Sequence, residues 1–380
     1  MSNKVKSRRS VLILSAFEGS IISFKGPLIE DLVKKQYSVY ILAPDFSRET
    51  KNSLIKMGVS PVDIKLSRDS FNIFQDLIDL FRLVILMCKI KPDIFLGYYI
   101  KPVIWGGIAA FVARVPKRIV MIEGLGHIFT DTSTKQSFKS IIIRKLVSFL
   151  YQFSLMTSNF VFFLNNDDKA EFETRKLISK EKAVVLGGIG LRLSEWPCLA
   201  PIMDPINFLF VGRMVKEKGF GEFIQAAKAL NTRYPNVSFT ALGEPEKREK
   251  KFTLDYLKKL DKAGIVSCPG HVEVRKWFAL CSVFVLPSYR EGVPRSTQEA
   301  MALGKPVITT NAPGCRDTVV EGKNGFLIEI GDVESLIKAM EKFILRPSII
   351  ASMGVQSRMM AEEKFDAHIV NERIFDLTKI

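Results

Sequence analysis

Short apolar runs alternate with longer amphipathic stretches along almost the whole of this sequence, and the alternation breaks only once. VLILSAF (11–17) reads as a buried strand, GPLIEDLVKKQ (26–36) as an amphipathic helix, and SVYILAP (38–44) as a strand ending at Pro44. NIFQDLIDLFRLVILMCKIK (72–91) is helical by its apolar spacing, and Pro92-Asp93 opens the strand DIFLGYY. A helix from about Val103 to Ala113 and the strands RIVMIEG (118–124) and NFVFFLN (159–165) follow. This pattern predicts an α/β architecture, a parallel sheet covered by helices on both faces. Such sheets bind ligands outside the carboxyl ends of their strands, where the strand order reverses.

The break is GLRLSEWPCLAPIMDPIN (190–207), which has three prolines and no clear periodicity and reads as a linker. The alternation then restarts with the strands INFLFVGR (206–213), VSFTALG (237–243), IVSCPG, SVFVLPS (282–288) and PVITTN (306–311), separated by helices. Two doubly wound domains are expected, one over 1–195 and one over 206–365. The segment 366–380 is expected to be a helix that crosses back to the first.

A length of 380 residues accommodates two or three domains. No apolar run reaches the roughly 18 residues of a spanning helix; LVILMC (83–88) is cut short by Lys89 and Lys91. Lys4, Lys6, Arg8 and Arg9 ahead of VLILSAF imitate a signal peptide, but only seven apolar residues follow before Glu18-Gly19. No small-residue cleavage site is present, so a first strand explains the run better. Five scattered cysteines without C-x-x-C spacing argue against a disulfide framework or zinc site and fit a reducing cytosol.

The net charge of +15 is unevenly spread: 29 of the 55 basic but only 18 of the 40 acidic residues lie within 1–195. That half is expected to face something anionic. Nucleic acid is disfavoured, because zinc-finger spacing, RNP-like aromatics and basic-region heptads are all missing. An anionic membrane surface fits better, a merely soluble basic surface being the alternative. The stretch 133–156 sharpens the choice. Lys135, Lys139, Arg144 and Lys145 accompany Phe138, Ile141, Ile142, Leu146, Phe149, Leu150 and Phe153 at three- and four-residue steps. It is either a helix lying in the headgroup layer or a core helix with a basic edge.

Chemistry concentrates in the second half. FVGRMVKEKGFGEF (210–223) places Gly212-Arg213 at a strand end and Lys218-Gly219 just before a helix. Two cations beside a helix N-terminus form a diphosphate cradle. A strand-end Arg is also an ordinary surface residue. In VFVLPSYREGVPRSTQEAMALGKPVITT (283–310), Glu291 sits in the mouth of a loop and the Gly292-Val293-Pro294 backbone opens a helix. Glu299 lies within that helix beside Ala300, Met301 and Ala302, where a carboxylate needs a partner. A ribose diol and a structural Arg both qualify.

GRMVKEKG, SYREGVPRSTQEAMALGKPVI and APGCRDTVVEGKNGFLI resemble the donor-binding half of glycosyltransferase family 4, over 206–332 and in the family's order and spacing. The resemblance implies a retaining transferase of GT-B architecture, two Rossmann-like domains facing a cleft whose closure excludes water. By the same resemblance Arg213 and Lys218 hold the diphosphate of a nucleotide sugar, Glu291 the transferred sugar and Glu299 the ribose. The backbone of Gly292, Val293 and Pro294 meets sugar or phosphate, and the loop with His271 and Val272 reads the base. In the first half, MIEGLGHIFT (121–130) puts Glu123 where many members carry a His. EGLG resembles a subgroup that adds N-acetylhexosamine to undecaprenyl-diphosphate-linked glycans, including α-1,3-N-acetylgalactosaminyltransferases and O-antigen glycosyltransferases. Glu123 then orients the acceptor hydroxyl or the donor sugar, with His127 a neighbour, and Gly19 approaches a phosphate. The family's Asn-Gly-Val-Asp turn is altered to Gly187-Gly188-Ile189-Gly190. No D-x-D pair is present, and with two cations and a helix dipole no metal or other cofactor is required.

The implied activity is transfer of a sugar, an N-acetylhexosamine by subgroup, from a UDP-sugar to a polyprenyl-diphosphate-linked saccharide at the cytosolic membrane face. Another donor such as GDP-mannose, a nucleotide-sugar 2-epimerase-like isomerase and a non-catalytic binding module remain as alternatives. A dinucleotide-dependent oxidoreductase is disfavoured, since no G-x-G-x-x-G follows the first strand.

Overall fold

The computed structural model describes residues 8–66, 73–125, 138–246, 249–270 and 272–380, with side chains of the 138–157 helix described from 145 onward. Its contacts divide the chain into two compact units, Met1–Ile189 with Ala367–Ile380, and Gly190–Asp366.

Among the described residues, the first unit is a seven-stranded sheet of order β3-β2-β1-β4-β5-β6-β7, parallel at every pairing. Its strands are β1 (Ser10–Leu14), β2 (Ser38–Ala43), β3 (Ser60–Asp63), β4 (Ile94–Tyr98), β5 (Lys117–Ile122), β6 (Phe160–Phe163) and β7 (Ala183–Val185). Central strands such as β1 and β4 are apolar on both faces, as a sheet covered twice requires. One face packs on α3 (Ile73–Ile90), α4 (Gly107–Val112) and α5 (Phe138–Thr157) through a core containing Leu83, Ile108, Tyr151, Phe95 and Phe163. The other packs on α1 (Gly26–Lys34) and α2 (Arg48–Lys56) through Leu28, Ile29, Leu54 and Phe162. The helix for which a headgroup-layer and a core position were both open has a core face: Val147, Tyr151 and Leu155 are buried, while Phe149, Phe153 and Met156 stay exposed. The helix α6 (Asn166–Thr174) precedes the edge strand β7.

The second unit is a six-stranded parallel sheet of order β10-β9-β8-β11-β12-β13. It comprises β8 (Asn207–Val211), β9 (Ser238–Leu242), β10 (Ser267–Gly270), β11 (Val283–Leu286), β12 (Val307–Thr310) and β13 (Gly325–Ile328). Helices α7 (Phe220–Arg233), α8 (Leu254–Lys262), α9 (Val274–Ala279), α10 (Arg295–Ala302), α11 (Val333–Leu345) and α12 (Ser348–Lys364) connect or follow them. In both units the chain reverses direction across the sheet at its first strand, between β1 and β4 and between β8 and β11, the doubly wound arrangement.

The stretch 190–207, expected as a linker, is packed: Trp196 is buried edge-on against Phe278, and its carbonyl accepts from Arg358 of α12. Prolines removed its periodicity without removing its contacts. The last helix, α13 (Ala367–Thr378), belongs to the first unit, where Val370, Ile374 and Phe375 join the core beneath α1 and Asn371 donates to Asp31 at 2.8 Å. Phe375→Ala should therefore destabilise the first unit by about 3–5 kcal/mol. An unchanged urea midpoint, followed with a probe in that unit, would contradict this placement.

Candidate active site

Two loops leave the C-terminal ends of the adjacent strands β8 and β11, and their backbones lock together. Gly219 caps α7 with φ of +71°, a conformation that favours glycine, and a Cβ there would overlap the Pro287 carbonyl oxygen. The Tyr289 amide and the Ser288 hydroxyl both donate to the Glu217 carbonyl, at 2.9 and 3.0 Å. From the far side, Gly314 at φ +74° lies so close to the Glu291 and Gly292 carbonyls that a side chain would collide with them. The Glu291 amide donates to the Pro313 carbonyl at 3.0 Å.

This bracing places Lys218 Nζ in contact with Glu291 Oε1 in an ion pair with both side chains largely buried. Arg213, one residue beyond Gly212 at the end of β8, pairs through its guanidinium with Glu246, and both are more exposed. Gly212 donates to the Leu242 carbonyl and Gly243 to the Gly270 carbonyl, so the ends of β8, β9 and β10 are tied together. Val272 follows that corner; His271 lies outside the described residues. Gly292, Val293 and Pro294 are buried, and Pro294 caps α10, whose Ser296 hydroxyl returns to the Val211 carbonyl at 3.1 Å. Of the two partners open to Glu299, the structure supplies the Arg: Arg295 Nε lies 2.8 Å from Glu299 Oε1, one helical turn away. Burial still raises the Glu299 carboxyl above its ordinary value, against the pull of Arg295. Burial and the neighbouring Glu291 push the Cys315 thiol up to about 12, which disfavours the thiolate. Tyr289, absent from the sequence reading, donates to Glu222 at 2.7 Å and is pushed up to about 12 by burial and that carboxylate.

In the first unit, Glu123 follows β5 and meets Lys25 Nζ at 2.5 Å. Lys25 is buried at the start of α1, 4.9 Å from the centre of the Tyr98 ring, whose hydroxyl contacts Ser20. Burial raises the Tyr98 phenol further from ionisation. Nothing in local spacing pointed to Lys25, since it pairs across 98 positions. Gly19 lies in a short turn after β1, packed against the Phe17 ring. His127 lies outside the described residues.

Two family models match the chain, one described as glycosyl transferases group 1 over residues 199–360 and one as glycosyl transferase 4-like over 11–162. The capsular polysaccharide biosynthesis glycosyltransferase CapM of Staphylococcus aureus is 29% identical over 358 residues, covering 91% of this chain and 90% of that protein. The N,N'-diacetylbacillosaminyl-diphospho-undecaprenol alpha-1,3-N-acetylgalactosaminyltransferase of Campylobacter jejuni is 25% identical over 379 residues, 96% of each. The crystal structure of Anabaena Alr3699/HepE in complex with UDP and glucose shares the fold, with a TM-score of 0.77 at 18% identity over 98% of this chain and 100% of that one.

Gly219→Ala should cost at least about 1–2 kcal/mol, the penalty of a left-handed non-glycine residue, because the backbone oxygen it meets cannot swing away. Chemical denaturation checks it. An unshifted midpoint would mean that the two loops are not locked at this point.

Proposed function

The chain belongs to glycosyltransferase family 4 and is a glycosyltransferase of GT-B fold, and from that premise we propose that it transfers an N-acetylhexosamine from a UDP-sugar to a polyprenyl-diphosphate-linked saccharide in surface polysaccharide assembly. The observation that carries the reading is the Lys218–Glu291 pair, fixed by two braced loops at the ends of adjacent strands. Lys218 has three donors and Glu291 occupies only part of that capacity, so the ammonium can bridge the carboxylate and a diphosphate oxygen. Arg213, exposed and movable, exchanges Glu246 for the second phosphate. Glu291 keeps acceptor capacity for a sugar hydroxyl, and Glu299 accepts from the ribose diol with the oxygen valences that Arg295 leaves.

In this mechanism the C1–oxygen bond to the diphosphate breaks as the acceptor hydroxyl approaches the same face. The acceptor oxygen bonds to C1, its proton passes to the departing phosphate oxygen, and the configuration is retained. Lys218, Arg213 and the free amides at the start of α7 stabilise the charge that develops on the leaving group. Glu123, aimed by Lys25, orients the acceptor hydroxyl. The UDP donor is supported by the UDP bound to Alr3699/HepE, and the lipid-linked acceptor by the Campylobacter relative's diphospho-undecaprenol substrate. An acceptor of that kind places the enzyme at the cytosolic face of a membrane.

Incubation with a panel of UDP- and GDP-sugars and a polyprenyl-diphosphate-linked saccharide should give acceptor-dependent UDP release and a product with the donor's anomeric configuration by NMR. Absence of transfer from any nucleotide sugar by folded protein would overturn the reading, and solvent deuterium entering the sugar without acceptor would favour the isomerase. Glu291→Gln should lower kcat/KM by about 10²–10³-fold in protein that is still folded by circular dichroism, with a lowered melting temperature because Lys218 loses its anionic partner. The ionised Glu299 carboxylate is the form that accepts two hydroxyls, and its folded value is raised. UDP-sugar affinity should therefore increase as pH rises above the ordinary carboxyl value of 4.5. Glu299→Gln should flatten that slope; an identical pH profile in the variant would remove Glu299 from ribose binding.

A further inference from the structure

The N-terminal half of the helix α3 is inside out. Its two carboxylates point into the protein, Asp76 and Asp79 being 2% and 1% exposed, while its outward face carries Phe74 at 82% and Phe81 at 66% with Leu77 and Ile78 about half exposed. The inward arrangement is specific. Lys101 Nζ, itself buried, lies 2.6 Å from Asp76 Oδ1, and Asp79 Oδ1 accepts from Gln75 at 2.9 Å and Arg82 at 3.2 Å. A surface helix facing water has the opposite polarity.

The exposed apolar face is not confined to α3. Beside it on the same side of the sheet, α4 exposes Phe111 and Val112, and α5 exposes Phe149, Phe153 and Met156. The rings of Phe111 and Phe153 meet edge to face at 6.0 Å, so the exposed faces of α4 and α5 are continuous, and α3 packs on the same core cluster beside them. Of the 24 large hydrophobic side chains exposed among the described residues, 11 lie on these three helices, which makes the patch a local feature and not a general property of the surface.

Charge identifies what covers it. The α3 carboxylates are both buried, and the sequences of α4 and α5 contain no Asp or Glu at all. Arg82, Lys89, Arg114 and Lys145 are exposed on these helices or at their ends. The next helix, α6, carries acidic side chains again. An apolar centre with cations and no outward carboxylate complements a negatively charged lipid surface. A second copy of this chain is a poor occupant, because a twofold contact through this face sets cations against cations. We infer that the outward face of α3, α4 and α5 docks on an anionic lipid bilayer. Phe74 and Phe81 enter the boundary between headgroups and acyl chains, and Arg82, Lys89 and Lys145 meet lipid phosphates. The inference deepens the lipid-linked acceptor reading above and rests on it for its biological sense, but the surface itself is argued without the catalytic residues.

The test is flotation of the full-length protein with phosphatidylcholine vesicles, with and without phosphatidylglycerol, alongside UDP titration and light scattering of the same preparations. Wild type should float with the anionic vesicles, release with rising salt, and stay behind with phosphatidylcholine alone. Phe74→Ser with Phe81→Ser should lower the bound fraction about tenfold or more, and Lys89→Glu with Lys145→Glu should abolish the preference for anionic vesicles. Both variants should keep UDP affinity and melting temperature. Wild type that ignores anionic vesicles, or a Phe variant that binds as wild type does, overturns the inference. So does a wild-type dimer that the Phe variant converts to monomer without vesicle binding. Loss of UDP binding in wild type with vesicle binding intact counts against the proposed function alone.

Discussion

The contact between Lys218 and Glu291 joins positions 73 residues apart, and much of the second unit is organised to make it. Neither side chain reaches the other through its own loop. The approach depends on Gly219 lying against Pro287 and on Gly314 lying against the Glu291 carbonyl, two places where a Cβ finds backbone in the way. Breaking a largely buried pair by removing one partner leaves an uncompensated charge, at a cost of about 3–5 kcal/mol. The pair stands beyond the C-terminal ends of β8 and β11, where a ligand of a parallel sheet is expected.

The first unit repeats the device. Each Lys meets a Glu that follows a later strand of its own sheet. The settings differ: Lys25 closes a π-helical turn, Ile21–Lys25, that runs directly into α1, whereas Lys218 precedes the left-handed Gly219 that caps α7 and so stands beside a helix N-terminus. The two pairs differ in burial: Lys25 is almost fully enclosed, which suits positioning Glu123, whereas Lys218 is more accessible, which suits contact with a diphosphate.

Much of this was legible in the sequence, and the physical reason is the same throughout. Strands buried on both faces, such as 11–14 and 283–286, are continuous apolar runs, and the loops after β8 and β11 carry charged residues beside Gly and Pro. The edge strands β3 and β7 were not legible, because SPVD is half exposed and AVV is three residues long. Lys25 escaped notice because its partner is remote in sequence, and the polarity of α3 because apolar residues occupy both of its faces there. The 133–156 stretch admitted two readings since its helix has both a core face and an exposed apolar one. Glu299 admitted two partners, and an Arg one turn earlier was always within reach.

The central claim is that the cations at the end of β8 and before α7 grip the diphosphate of a nucleotide. Calorimetric titration of UDP into wild type and into Arg213→Met with Lys218→Met tests it directly. The account predicts that the double variant, folded by circular dichroism, loses affinity by about a hundredfold or more, the loss expected for two charge-assisted contacts. Equal affinity in the two proteins would contradict it.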